Sequence, residues 1–190
     1  FINLGKQVDL ANRSFTISLW AKRNQVGHND PMLWQGPLSI TEGRLLFGLS
    51  YDNRFVCGFG GSDLISATAY PDTDWHYWAC SYNMETGQRT MYRDGQLIGQ
   101  DVATAMPQMT ENLFIGQAPV GYFAGNLDEI VISSLPLTEK DIREQYTGYQ
   151  SVYSLTVDDI FYQSGDVLPD RSGYFHHALL TGGLVDRNNN

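Results

Sequence analysis

The chain has 190 residues, with 21 Asp and Glu against 12 Lys and Arg, a net charge of −9 and a pI near 4.7. A nucleic-acid binder needs a basic surface to displace counterions from phosphates, and no dense Lys/Arg cluster occurs, which excludes that class of partner. Charged residues reach only 17% while aromatics reach 13% with 19 glycines, a mixture that favours short strands and tight turns in one all-β domain of sandwich or barrel size.

Strand signals dominate in chain order. Residues 15–22 alternate Phe15, Ile17, Leu19 and Ala21 against Thr16, Ser18, Trp20 and Lys22, so one face is core. Strands are expected next at 32–35, 44–50, 54–58 and 64–68, each bounded by Gly, Asp or Asn, and then at 75–82, WHYWACSY. Residues 88–92 and 96–99 flank Asp94-Gly95, a dipeptide that accepts the positive φ angles of a tight hairpin. Apolar strands follow at 113–116 and 126–133, at the spacing a sandwich produces. One helix interrupts the pattern: Thr138 and Asp141 form a capping box, Ile142 and Tyr146 share a face, and the spacing predicts a helix over about 139–145. The last forty residues read as strand, loop and strand with a polar end.

No apolar run approaches the roughly 18 residues of a membrane span. The chain begins at Phe1, with neither Met nor a signal peptide, so it reads as a piece of a longer protein whose export signal would lie upstream. Cys57 and Cys80 are too few for a disulfide scaffold or a Cys-rich zinc site and leave the redox compartment undecided. His28, His76, His176 and His177 are scattered, and neighbours such as His176 and His177 on a strand point to opposite faces, a poor metal pair. No G-x-S-x-G or H-E-x-x-H occurs.

The pieces FINLG (1–5), SFTISLWAK (14–22), DWHYWACSY (74–82), MYRDGQLIG (91–99), LFIGQ (113–117) and FAGNLDEIVI (123–132), closed by LPLTEKDIREQY, resemble in order and spacing the laminin G-like modules of the concanavalin A-like lectin/glucanase superfamily. The resemblance covers about residues 1–148. It implies an all-β jelly-roll sandwich of two antiparallel sheets with one short helix near the end of the body. It also implies a non-catalytic adhesion-type module, binding carbohydrate or a cell-surface protein, within a larger exported, extracellular or cell-surface protein of bacterial type. Residues 149–190 resemble the segment that opens such a module, standing here at the opposite end. Either they begin the next module of a tandem array, or they fold back and pair with residues 1–148, which is the expected arrangement.

The resemblance also supplies candidate sites. Glu139-x-Asp141-x-x-Glu144 has the spacing of the laminarinase-type glucanases of this superfamily, where acids project from a strand into a sugar cleft. On a helix the same residues spread around a solvated surface, with Lys140 and Glu144 as an i,i+4 pair, so no catalytic residue is expected. Asp128 stands where related sandwiches hold a structural Ca²⁺ with backbone carbonyls; the alternative is that it accepts hydrogen bonds from loop amides. Relative to pentraxins, the long acidic loop of their calcium site is missing, and their cysteine pair falls at Ser18 and Ala79. Cys80 lies on the opposite face from Ala79, so Cys57 and Cys80 are both expected to be free, unless their strands pair. If Ser18 and Ala79 face away from the core, so do Trp20, Trp75 and Tyr77, an aromatic platform for pyranose rings unless loops or the tail cover it. Trp34, Tyr51, Asp52, Asn53 and Arg54 form a second candidate rim. A spacer module without its own ligand is the alternative to a binding module, and a glycoside hydrolase is a third reading.

Overall fold

The alternation along residues 15–22 becomes a strand because its two faces meet different surroundings, one a packed interior and the other a covering helix. The computed structural model describes residues 1–36, 43–108, 111–151, 167–168 and 178–179. Its elements are β1 (Ile2–Asn3), β2 (Phe15–Arg23), β3 (Asp30–Gln35), β4 (Leu45–Leu49), β5 (Arg54–Gly58), β6 (Asp63–Ala69), β7 (His76–Tyr82), β8 (Gln88–Arg93), β9 (Gln96–Val102), β10 (Leu113–Ile115), β11 (Gln117–Ala118), β12 (Gly121–Tyr122), β13 (Gly125–Ser133), α1 (Glu139–Ser151), β14 (Val167–Leu168) and β15 (Ala178–Leu179).

Among the described residues, one sheet runs β14-β15-β1-β10-β3-β4-β5-β6 and the other β13-β2-β7-β8-β9, with β11 and β12 as a separate hairpin. Every pairing is antiparallel. This is the jelly-roll sandwich that the motif order implies, with one helix near the end of the body. The inward rows Phe15, Ile17 and Leu19 of β2, Trp78, Cys80 and Tyr82 of β7, and Phe47, Phe55 and Cys57 of β4 and β5 fill the space between the sheets. Aromatic rings interlock there: Phe55 stacks on Trp78 at 4.7 Å, and Phe59 meets Tyr82 edge-on at 4.8 Å.

Turn chemistry fixes the hairpin between β8 and β9. Asp94 and Gly95 both take positive φ, 52° and 73°, as a two-residue turn of this hand requires. Asp94 also fastens the start of β7: its Oδ1 accepts the Tyr77 amide at 3.0 Å and its Oδ2 lies 2.7 Å from His76 Nδ1. His76 Nε2 reaches Asp72 at 3.0 Å, and Arg93 contacts both Asp72 and His76 while lying over the Tyr70 ring. His76 is thus tied into a charged network at the strand end.

The cysteines correct the expectation of free thiols: Cys57 and Cys80 are bonded to each other. Their strands do not pair. They lie in opposite sheets, and the alternation that puts Cys80 opposite in face to Ala79 also points it into the core, where Cys57 projects from the facing sheet. The Cα atoms are 6.4 Å apart, within reach of a disulfide.

At the chain's end, Leu179 of β15 pairs with Asn3 of β1, and β14 pairs with β15. The expected strand at 152–159 and the His176-His177 pair lie outside the described residues.

Candidate functional site

The expected aromatic platform sits where the alternation puts it, on the face of β2 and β7 turned away from the core. Ser18 pairs with Ala79 and Trp20 with Tyr77. The face is closed, however, because α1 lies on it. Ile142 and Tyr146 pack onto Tyr77, Ala79, Tyr92 and Trp20, and Tyr77 is 0% exposed with its hydroxyl donating to Gln145 Oε1 at 2.9 Å. Thr16 secures the approach to the helix by donating to the Leu135 carbonyl and receiving the Leu137 amide. Trp75 stays 41% exposed just ahead of β7. Of the three rings only Trp75 is exposed, so no open three-ring surface remains.

The same helix settles the geometry of the acid triplet. Asp141 caps α1, accepting the Thr138 amide at 2.9 Å, and the Thr138 hydroxyl's hydrogen bond holds its carboxyl below the usual carboxylate range. Glu139 pairs with Arg143 at 2.8 Å and Glu144 with Lys140 at 3.6 Å, both i,i+4 and solvent-exposed. The three acids do not converge on a cleft. The helix runs to Ser151, beyond the expected Gln145.

The second expected rim is divided as well. Trp34 is 2% exposed, with its indole N–H donating to the Gly36 carbonyl at 2.9 Å and Arg44 lying over its ring. It sits four residues along β3 from the Asp30 end, whereas Tyr51 belongs to the turn beside Asp30. Arg54 is exposed and paired with Asp52 at 3.4 Å.

Tyr51 instead lines a cleft of about 360 Å³ formed by three loops remote in sequence. The β2–β3 loop contributes Gln25, Gly27, His28 and Asn29, the start of β3 contributes Asp30, the β4–β5 turn contributes Tyr51, and the β11–β12 hairpin and the residues after it contribute Val120, Gly121, Tyr122 and Ala124. Side-chain amides knit the first two together: Asn29 Oδ1 accepts the Tyr51 amide at 3.0 Å, and Asn53 Oδ1 accepts the Gly27 amide at 2.9 Å and Arg23 Nη1 at 3.1 Å. Ser50 closes the turn on Arg54, and its hydroxyl's hydrogen bond to Asp52 lowers that carboxyl's pKa. Gly48 lets β4 approach, since a Cβ there would lie 2.4 Å from the Asp30 carbonyl. Tyr51 and Tyr122 are 70% and 62% exposed, and the Phe1 ring lies 5.9 Å from that of Tyr122.

At the base of the cleft Asp30 is buried, and neither carboxylate oxygen closes a hydrogen bond of ordinary geometry. Arg23 Nη1 stands 3.6 Å from Oδ2, an ion-pair separation too long for a hydrogen bond. Burial raises the Asp30 pKa above the usual carboxylate range, with the Arg23 charge opposing it, and burial lowers that of Arg23. Because the folded value lies above the unfolded one, the native state holds the extra proton, and stability falls as pH rises from about 3.8 through the folded pKa. Asp30→Asn should therefore gain stability relative to wild type across that interval. Urea unfolding at several pH values checks this, and a difference that stays constant or runs the other way contradicts it.

Asp128 is exposed on the outer side of β13, opposite Trp20, at a bulge where Glu129 takes a positive φ of 47°. Its Oδ1 accepts the Glu129 amide at 2.8 Å. Desolvation, and then the neighbouring Asp128 charge, raise the Glu129 pKa. Two adjacent carboxylates suit Ca²⁺ in kind, but no group of three His, Cys, Asp or Glu side chains gathers among the described residues, so further ligands would have to be backbone oxygens or water.

Of the cleft residues only Tyr51 is among the residues expected to bind ligand. Gln25, His28, Asn29 and Tyr122 line the cleft without being among them; their signal in the sequence is a polar, glycine-broken run between two strands and a tyrosine following a Pro-Val-Gly turn.

Comparison with solved structures finds this sandwich in several proteins. The CBM40 of a Ruminococcus gnavus IT-sialidase, bound to α2,3 sialyllactose, aligns at a TM-score of 0.61 with 14% identity over 72% of this chain and 83% of that one. Domain 4 of AbnA, an extracellular GH43 arabinanase from Geobacillus stearothermophilus, in complex with arabinotriose, gives 0.56 with 15% identity over 73% and 68%. A heptameric pentraxin from Limulus polyphemus gives 0.56 with 12% identity over 70% of each chain. At these identities the likeness is one of fold. No curated protein matches the sequence. A family model described as the concanavalin A-like lectin/glucanases superfamily, laminin G type, matches residues 2–143, and the chain belongs to that family.

Proposed function

We propose that this chain is a carbohydrate-binding module, non-catalytic in its own right, that takes glycan in the loop cleft between Tyr51 and Tyr122. The observation that carries the reading is the pair of exposed tyrosines flanking a recess lined by Gln25, His28 and Asn29. Exposed aromatic rings offer apolar faces to a pyranose, and amide and imidazole groups read its hydroxyls. Structural neighbours that are a CBM40 bound to sialyllactose and an arabinanase domain in complex with arabinotriose support this. The scattered pairing of the Glu139, Asp141 and Glu144 carboxylates disfavours the hydrolase reading.

Further parts of the proposal concern context. The Cys57–Cys80 bond supports an oxidising, exported location on an extracellular or cell-surface protein. The β1–β15 pairing supports residues 149–190 docking on the body as an opening strand would. A structural Ca²⁺ at Asp128 would neutralise the Asp128–Glu129 pair.

A glycan array, run with calcium and again with chelator, tests the function. Wild type should give hits, and Tyr51→Ala with Tyr122→Ala should weaken them at least tenfold, the loss of about 1.4 kcal/mol. Chelator should weaken binding only by loosening the fold, with a matching fall in melting temperature that Asp128→Asn abolishes. A blank array would sink the binding reading and leave the spacer.

A further inference from the structure

We infer that the cleft selects uncharged, hydroxyl-rich saccharides and discriminates against those bearing sialic or uronic acid. The inference rests on the glycan reading above and narrows its ligand class, and it separates this chain from the structural neighbour whose bound ligand is a sialyllactose.

The argument begins with what a sugar carboxylate requires. Taking it out of water is costly unless a fixed cation or several donors replace the lost solvation, and a planar guanidinium making paired bonds is the usual solution. Among the described residues, no Lys or Arg side chain lines the cleft; its polar side chains are those of Gln25, His28, Asn29, Asp30, Tyr51 and Tyr122. The neighbouring guanidinium groups are engaged elsewhere. Arg23 is buried, faces Asp30, donates to Asn53 Oδ1 and to the carbonyls of Tyr70 and Asp72, and is held in that cage by all of them. Arg54 is paired with Asp52.

The base of the cleft then adds an opposing feature. The Asp30 carboxylate is nine-tenths buried or more, and both of its oxygens lack a hydrogen-bond partner. Arg23 is committed to that carboxylate at 3.6 Å, so a sugar carboxylate would have to compete with Asp30 for it in a medium poorer than water at screening. A hydroxyl meets the opposite situation, since the amide, phenol and imidazole groups both donate and accept. Acid content is therefore what the site distinguishes, and it does so by the absence, among the described residues, of a free Lys or Arg in its lining together with the presence of a buried acid that already holds the nearest guanidinium.

The test is calorimetric titration of the full chain at pH 8. Matched pairs serve as probes: lactose against sialyllactose, and a neutral xylo-oligosaccharide against the same chain substituted with glucuronic acid. The expected result is that the neutral member of whichever pair binds does so at least tenfold more tightly. Gln25→Arg, an exposed position on the cleft wall, should narrow that ratio about fivefold or more by supplying the missing guanidinium. Tighter binding of the acidic member by wild type would overturn the inference while leaving glycan binding intact. No binding of either member of any pair, with the array also blank, would overturn the glycan reading and this inference with it.

Discussion

Replacing both Cys57 and Cys80 with alanine should lower the stability of the module by about 3 kcal/mol. The bond closes a loop with a sequence separation of 23, and the chain-entropy relation assigns a loop of that length roughly 3 kcal/mol of restriction on the unfolded state. For a domain of this size that corresponds to about 10 °C in melting temperature. The sulfurs sit in the fully packed core, so the small voids left by alanine add to the loss. Thermal melts of the variant and of wild type with and without reductant measure the effect. Two titratable thiols in denatured, unreduced wild type, or identical melts, would contradict the bond.

An effect of similar size is expected at Arg89, which is entirely buried. Its guanidinium makes two bonds to Asp101, at 3.0 and 2.6 Å, and one to the Ser62 carbonyl at 2.7 Å, and it lies 4.3 Å from the centre of the Phe59 ring. It thus joins β8 to β9 within one sheet and reaches the β5–β6 turn of the other. Arg89→Ala leaves an acceptor and a carboxylate without their partner, which costs about 3 kcal/mol. The lower end of the usual range applies because Asp101 is a third exposed and regains water. Arg89→Met combined with Asp101→Leu should recover most of the loss, since the pair is then removed whole and the stem's packing on Phe59 is kept. Denaturant unfolding of the single and double variants checks both. A double variant as unstable as Arg89→Ala would contradict this, placing the loss in the guanidinium's own bonds to Asp101 and Ser62 rather than in an orphaned partner.

Much of the sandwich is legible in the residues themselves. Asp94-Gly95 announces its hairpin because only a narrow set of residues tolerates two consecutive positive φ angles. Thr138 and Asp141 announce α1 because their reciprocal bonds are local. Alternation correctly divides Ser18, Trp20, Tyr77 and Ala79 from the core row. What alternation cannot supply is what lies on top of a face. The helix and the aromatic platform are each visible in the sequence, yet that Ile142 and Tyr146 cover Trp20 and Tyr77 follows only from the path of the chain after β13. The disulfide fails for the same reason. Facing across the core is a relation between two sheets, and periodicity within a strand carries no information about it.

The cleft marks the limit more sharply still. Its walls come from the β2–β3 loop, the β4–β5 turn and the β11–β12 hairpin, brought together by β3 pairing with both β4 and β10. Tyr51 could be named as a loop aromatic. Tyr122 and the buried acid of Asp30 acquire meaning only once those pairings set them around one recess, and Trp34, an aromatic like Tyr51, lies four residues along β3 from Asp30 and is buried.

The central claim, that ligand is held between Tyr51 and Tyr122, is tested most directly by following backbone amide NMR signals while titrating a neutral oligosaccharide taken from the array. Saturable shifts should concentrate at Gln25, His28, Asn29, Tyr51 and Tyr122, with the α1 face around Tyr77 and Tyr146 unmoved. Shifts centred on α1 and Trp75, or on the Trp34 region of β3, with the cleft signals unchanged would contradict it.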